Sequence, residues 1–99
     1  NIIDISSLIH VPYLSLRGCF NIKDFNGLGK HQKYLNLTGC KITNDHLYAL
    51  ANVHSLIISF CQAISDLSML RNERLIARNC KNIMNAHLYG NFLQIDLSR

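Results

Sequence analysis

Short three-residue steps with apolar first and third positions recur along the 99 residues, and they carry most of the information in the chain. They read Leu14-Ser15-Leu16, Leu35-Asn36-Leu37, Leu56-Ile57-Ile58, Leu75-Ile76-Ala77 and Ile95-Asp96-Leu97. A cysteine follows three residues after each of the first four, at Cys19, Cys40, Cys61 and Cys80, with spacings of 21, 21 and 19. Then come an isoleucine (Ile22, Ile42, Ile64, Ile83), a polar patch often with an acid (Asp24, Asp45, Asp66) and a further leucine (Leu28, Leu50, Leu70, Leu88). Ile2-Ile3-Asp4 and Leu8 copy the second half of this unit before the first cysteine. Side chains alternate along a strand, so the first and third residues of each step point to one interior. A single coil cannot cover that interior, but stacked coils bury one another's. The period predicts a short α/β solenoid with one parallel strand per repeat on a concave side and short or irregular helices on a convex side. It forms one unit over residues 1–99: a partial repeat at 1–13, repeats starting near 14, 35, 56 and 75, and a further start near 95.

The return paths hold the helical signals. Thr43, Asn44 or Asp45 can cap a helix over 46–51, with Leu47, Leu50 and Ala51 on one face. Ser65 or Asp66 can cap a shorter turn through Leu70, and Asn85 can open a turn that Gly90 closes. Asn26-Gly27-Leu28-Gly29 argues against a regular helix in the first repeat. Three residues before each step an apolar side chain is expected. Val11, Val53 and Phe92 supply it, whereas Gln32 and Asn72 do not, so those two turns are expected to be distorted. The cysteine falls where the chain leaves the strand, and a small side chain with a weak thiol donor suits packing there.

The LxL step, the cysteine before the next apolar residue, and the Thr-Asn-Asp or Ser-Asp step together resemble the leucine-rich repeat in its cysteine-containing subclass. That subclass is familiar from the substrate-recognition part of F-box proteins. The resemblance covers nearly the whole chain, although the repeats are short for the subclass. It implies structural roles for the LxL, cysteine and isoleucine positions. It also implies a protein-interaction scaffold, as in the substrate-recognition part of an F-box-like ubiquitin ligase. No F-box segment is contained in these residues, and the chain reads as a segment of a larger protein.

Composition narrows the alternatives. Hydrophobic residues make up 48% of the chain, which sets it apart from a disordered tail. Every apolar run is interrupted long before the roughly 20 residues that a membrane span requires, so no membrane is expected. The net charge of +4 comes from single, scattered Lys and Arg residues without a run, which argues against nucleic acid as partner. Four cysteines and five histidines contain no CxxC or HxxxH pair, so no metal site is expected. Cysteine–histidine catalysis needs an exposed thiolate beside a base, and these periodic cysteines point inward. No catalytic residues, no cofactor and no enzyme activity are expected. Asp24, Asp45 and Asp66 are assigned to turns and helix starts. Evenly repeated inward thiols suit a reducing compartment, placing the protein inside the cell, in cytoplasm or nucleus.

What remains is surface. The outward positions form three columns: Tyr13, Tyr34, Ser55, Arg74, Gln94; then Ser15, Asn36, Ile57, Ile76, Asp96; then Arg17, Thr38, Ser59, Arg78, Ser98. Tyr and Arg most often anchor protein interfaces, and Ile57 beside Ile76 adds an apolar centre. The candidate partner-binding residues are Tyr13, Ser15, Arg17, Tyr34, Asn36, Thr38, Ile57, Arg74, Ile76 and Arg78. Two other roles compete with protein binding. One is a purely structural segment; the other is a phosphate-bearing partner such as RNA, met by Arg17, Arg74, Arg78, Lys30, Lys33 and Lys81. Strands spaced ~4.8 Å apart present a few hundred Å², against roughly 800 Å² per partner in a standard interface. Contact would therefore extend over loops or further repeats. Ile2, Ile3, Phe92 and Leu93 are expected to leave the ends sticky, with end-to-end association as one way of covering them.

Overall fold

A computed structural model describes residues 4–84 and 94–98. A single 3-10 turn at Ser6–Leu8 is followed by β1 (Tyr13–Ser15), β2 (Tyr34–Asn36), α1 (Asn44–Leu50), β3 (Ser55–Ile57), β4 (Arg74–Ile76) and β5 (Gln94–Asp96). The strands form one five-stranded sheet in sequence order, every pair parallel. This is a short repeat solenoid with little helix. The register aligns Leu14, Leu35, Leu56, Leu75 and Ile95 side by side, as the repeat requires. Hydrogen bonding continues beyond the strands in the same register. Leu37 N–H donates to the Ile57 carbonyl, Gly39 N–H to that of Ser59, and Asn79 N–H to that of Ser98.

Inside lie the repeated leucines and isoleucines. Leu35, Leu37, Ile42, Leu47, Leu56, Ile58, Ile64, Leu67 and Leu75 have essentially no exposure. After each strand the chain must turn sharply into the cysteine. The residue that makes this turn has positive φ in all four coils: Gly18 (77°), Gly39 (78°), Phe60 (60°) and Asn79 (57°). Glycine adopts this conformation freely, whereas a Cβ brings a steric penalty of ~1–2 kcal/mol.

The thiols then take up a fixed task. Cys40 Sγ donates to the Leu16 carbonyl at 3.2 Å, Cys61 Sγ to that of Leu37 at 3.4 Å, and Cys80 Sγ to that of Ile58 at 3.1 Å. Each bond reaches into the coil before, at the last residue of its LxL step. Burial pushes the Cys40 thiol up to about 11 and the Cys61 thiol up to about 12; neighbouring thiolates add to the effect. Cys80 is raised as well, again by burial first. Cys19 is only half-buried.

Gln32 and Asn72 do not distort their turns, contrary to the expectation from the pattern. Both are buried, at 5% and 1% exposure, and the strand register on either side is unbroken. Gln32 Nε2 donates to the Ile9 and Val11 carbonyls at 2.8 and 2.9 Å, and its Oε1 accepts from Gly29 N–H at 2.8 Å. Asn72 Nδ2 donates to the Leu50 and Val53 carbonyls at 2.9 and 2.5 Å. The reason is a matter of counting donors. Where one coil swings toward its strand, two carbonyls face the next coil, and a primary amide carries two N–H groups to meet them.

The return paths are more irregular than the sequence implies. The helix in the second repeat spans Asn44–Leu50, with Thr43 at its N-cap. His46 Nδ1 accepts from Thr43 N–H at 2.9 Å, closing the reciprocal half of a capping box. The turn expected from Ser65 or Asp66 through Leu70 forms, with Asp66 as its cap and Leu70 N–H donating to the Leu67 carbonyl. Asn44 of the neighbouring coil adds to it: its Oδ1 accepts from Ser65 N–H at 3.0 Å, and its Nδ2 donates to Ser65 Oγ at 2.9 Å. Asp24 and Asp66 do close local turns, accepting from the N–H groups of Asn26 and Ser68. In the first repeat no helix forms, and Gly29 allows α1 to approach; a Cβ there would run into the Ala49 carbonyl. The expected Asn85–Gly90 turn, Leu88 and the end residues Ile2, Ile3, Phe92 and Leu93 lie outside the described residues.

Candidate functional site

Because the sheet is in register, its outward side chains form true columns. Tyr13 pairs with Tyr34, Tyr34 with Ser55, and Ser55 with Arg74; Ser15, Asn36, Ile57 and Ile76 stand beside one another likewise. All ten candidate residues are brought together on this one face and its immediate C-terminal extension. Tyr13, Ser15, Arg17, Arg74 and Arg78 are exposed, while Tyr34, Asn36, Thr38, Ile57 and Ile76 are half-buried. Ile57 and Ile76 are therefore a partly covered apolar centre rather than a fully exposed one. Tyr13, at 68% exposure, is the most open large hydrophobic side chain on the face.

Several polar members are already engaged with the scaffold. Asn36 Oδ1 accepts from the Thr38 N–H at 3.0 Å and from the Thr38 hydroxyl at 2.6 Å. Ser59, third-column residue of the third repeat, is buried, and its Oγ accepts from Arg78 N–H at 3.0 Å. It belongs to the framework. Arg78 donates through Nε and Nη2 to Asp96 Oδ2, each at 2.7 Å. Asp96 is held below the ordinary carboxylate range first by the Ser98 backbone N–H and then by Arg78. Arg17, by contrast, has no hydrogen-bond or ion-pair partner among the described residues.

Two aromatic side chains escape a reading based on columns. Phe20 and Phe60 are 58% and 55% exposed, beside the C-terminal ends of the strands. Phe20 lies over the bare backbone of Gly39, with its Cε1 3.2 Å from where a Cβ would stand. A shallow cleft of about 360 Å³ runs between them over Gly18, Thr38 and Gly39, with Arg17 at its side. The sequence does carry a signal for Phe60. Aligned repeats have glycine just before the cysteine in Arg17-Gly18-Cys19 and Thr38-Gly39-Cys40, and an aromatic there in Ser59-Phe60-Cys61 is out of place.

On the opposite side, a small cavity of about 150 Å³ lies between the first return path and α1, next to Phe25, Asp45 and His46. His46 Nδ1 is committed to the Thr43 cap. Among the described residues no three His, Cys, Asp or Glu side chains are grouped so as to hold a metal ion. No helix among them is long and apolar enough to cross a membrane. What the outward face offers chemically is hydrogen bonding, aromatic and aliphatic contact and guanidinium charge. The buried thiols offer no nucleophile near neutral pH.

The architecture thus defines a class, the parallel-stranded repeat solenoid with a mixed aromatic, apolar and cationic strand face. Comparison of the chain with protein-family models, curated proteins and solved structures finds no match.

Proposed function

We propose that this chain is a protein-recognition scaffold of the leucine-rich-repeat kind, which engages its partner through the outward face of the strands. One observation carries the reading: the repeat consumes its leucines, isoleucines and cysteines in the interior, while Tyr13, Tyr34, Ile57, Ile76, Arg17, Arg74 and Arg78 gather on one face. Tyr and Arg combine contact area with directional donors, which is why they dominate binding hot spots. The resemblance to the cysteine-containing subclass supports a role in substrate recognition for a ubiquitin ligase. The four free thiols support work in a reducing compartment of the cell.

The test is affinity capture from cell lysate, with and without nuclease, comparing wild type with a folded Tyr34→Ala/Arg78→Ala double variant. The expected result is a protein retained by the wild type, nuclease-resistant and lost from the variant, with ubiquitin-ligase subunits in its company. Retention that vanishes with nuclease would replace this reading by an RNA-binding one. Equal retention by both forms would move the function off this face.

A further inference from the structure

The C-terminal rim of the strands carries a more specific message. We infer that the cleft bounded by Arg17, Phe60 and Arg78 grips an extended acidic peptide segment with an apolar side chain at its centre. The inference rests on the protein-recognition reading and names the partner's chemistry.

Phe60 is the key residue. It is held at φ 60°, where an aromatic residue is disfavoured, yet its side chain is 55% exposed. The scaffold gains little from it. Glycine serves the same turn in two other coils without strain. A conformational penalty retained at an exposed aromatic, without burial to offset it, points to use of the side chain by something else.

Three clefts are lined by Phe60, and two of them include Arg17 and Thr38. The first, toward Phe20, has Arg17 and Thr38 in its wall. The second, also of about 360 Å³, runs from Arg17 and Thr38 past Phe60 to Ile76 and Arg78. Among the described residues no carboxylate lines either cleft. Arg17 is unpaired, and Asp96 takes only the Nε and Nη2 side of Arg78. Charge complementarity therefore calls for an anionic occupant, and Phe60 with Ile76 calls for an apolar one.

Geometry favours a peptide over a nucleic acid. Arg17 and Arg78 stand three strand spacings apart, about 14 Å, which an extended peptide covers in about four residues. Two carboxylates at that separation meet the two guanidinium groups, and the side chain between them meets Phe60. A single-stranded nucleic acid would ask for a track of positive charge along its backbone. Here two arginines stand, one of them shared with Asp96.

The experiment is fluorescence anisotropy with the whole chain and a synthetic peptide carrying acidic residues four apart around a central Phe or Leu. Controls are the peptide with lysines in place of the acids, and an oligouridine. The acidic peptide is expected to bind, more weakly as salt is raised, and the lysine peptide not to bind. Phe60→Gly should weaken binding at least tenfold while leaving the melting midpoint equal or higher; Arg17→Glu should weaken it comparably. The inference is overturned if the acidic peptide fails to bind, if Phe60→Gly leaves affinity unchanged, if that variant melts lower, or if oligouridine displaces the peptide. A cellular partner lost with Tyr34→Ala/Arg78→Ala but indifferent to Phe60→Gly and Arg17→Glu would keep the strand-face reading and remove this one.

Discussion

Single residues separate cleanly into those that hold the coil and those that it displays. Leu37 has no exposure and sits between neighbours in the coils on both sides. Leu37→Ala should cost ~2–5 kcal/mol, as buried leucines do when truncated. A nearly unchanged urea midpoint would place the interior on the wrong side of the strand. The thiols give a pH-dependent check. Cys61 and Cys40 titrate at about 12 and about 11 in the fold, against 9.0 ordinarily, because burial disfavours the thiolate. Below pH 9 folded and unfolded chains both carry neutral thiols, and the contribution is complete. Above it the unfolded chain ionises first, so stability falls until the folded thiols also titrate near pH 12. Melting midpoints should decline from pH 9 upward, and less so in Cys61→Ser. An identical decline in that variant would show that the thiol is not the group responsible.

Elements show where the sequence was legible and where it was not. Strand positions, register and the buried column could be read off because LxL alternation and the spacing of the cysteines fix them jointly. The Asn44–Leu50 helix was visible from its Thr43 cap and the Leu47/Leu50 face. In the third return path the Asp66 turn through Leu70 was legible, but the tie of Ser65 to Asn44 of the neighbouring coil was not. Gln32 and Asn72 looked like breaks in an apolar column; pairing with carbonyls about twenty positions away leaves no local trace. Phe60 stands where two aligned repeats have glycine, but the reason this matters lies in a backbone angle that the letters do not show. If Asn72 is a clasp, Asn72→Ala should destabilise by ~1–3 kcal/mol, the cost of leaving buried carbonyls unpaired. Amide exchange should quicken mainly in the second and third repeats. A neutral effect would mean that the apolar position tolerates any side chain and that the amide bonds contribute nothing net.

At the scale of the molecule, each link joins only adjacent coils. Gln32 ties the partial repeat to the first, Asn44 and Asn72 tie the second to the third, and Gln62 ties the third to the fourth. Stability of such an array is close to a sum of neighbour interfaces, so the strand face is a platform whose length follows the number of repeats. With its rim, this platform still offers a modest area, in keeping with a partner grasped at a few anchors. In the function proposed, recognition occurs on the strand face and the return paths are scaffold. A photo-crosslinking amino acid placed in turn at Ile57, on the face, and at Tyr48, exposed on α1, tests it most directly. A discrete partner adduct is expected to form in cells through Ile57 and not through Tyr48. An adduct through Tyr48 alone would contradict it.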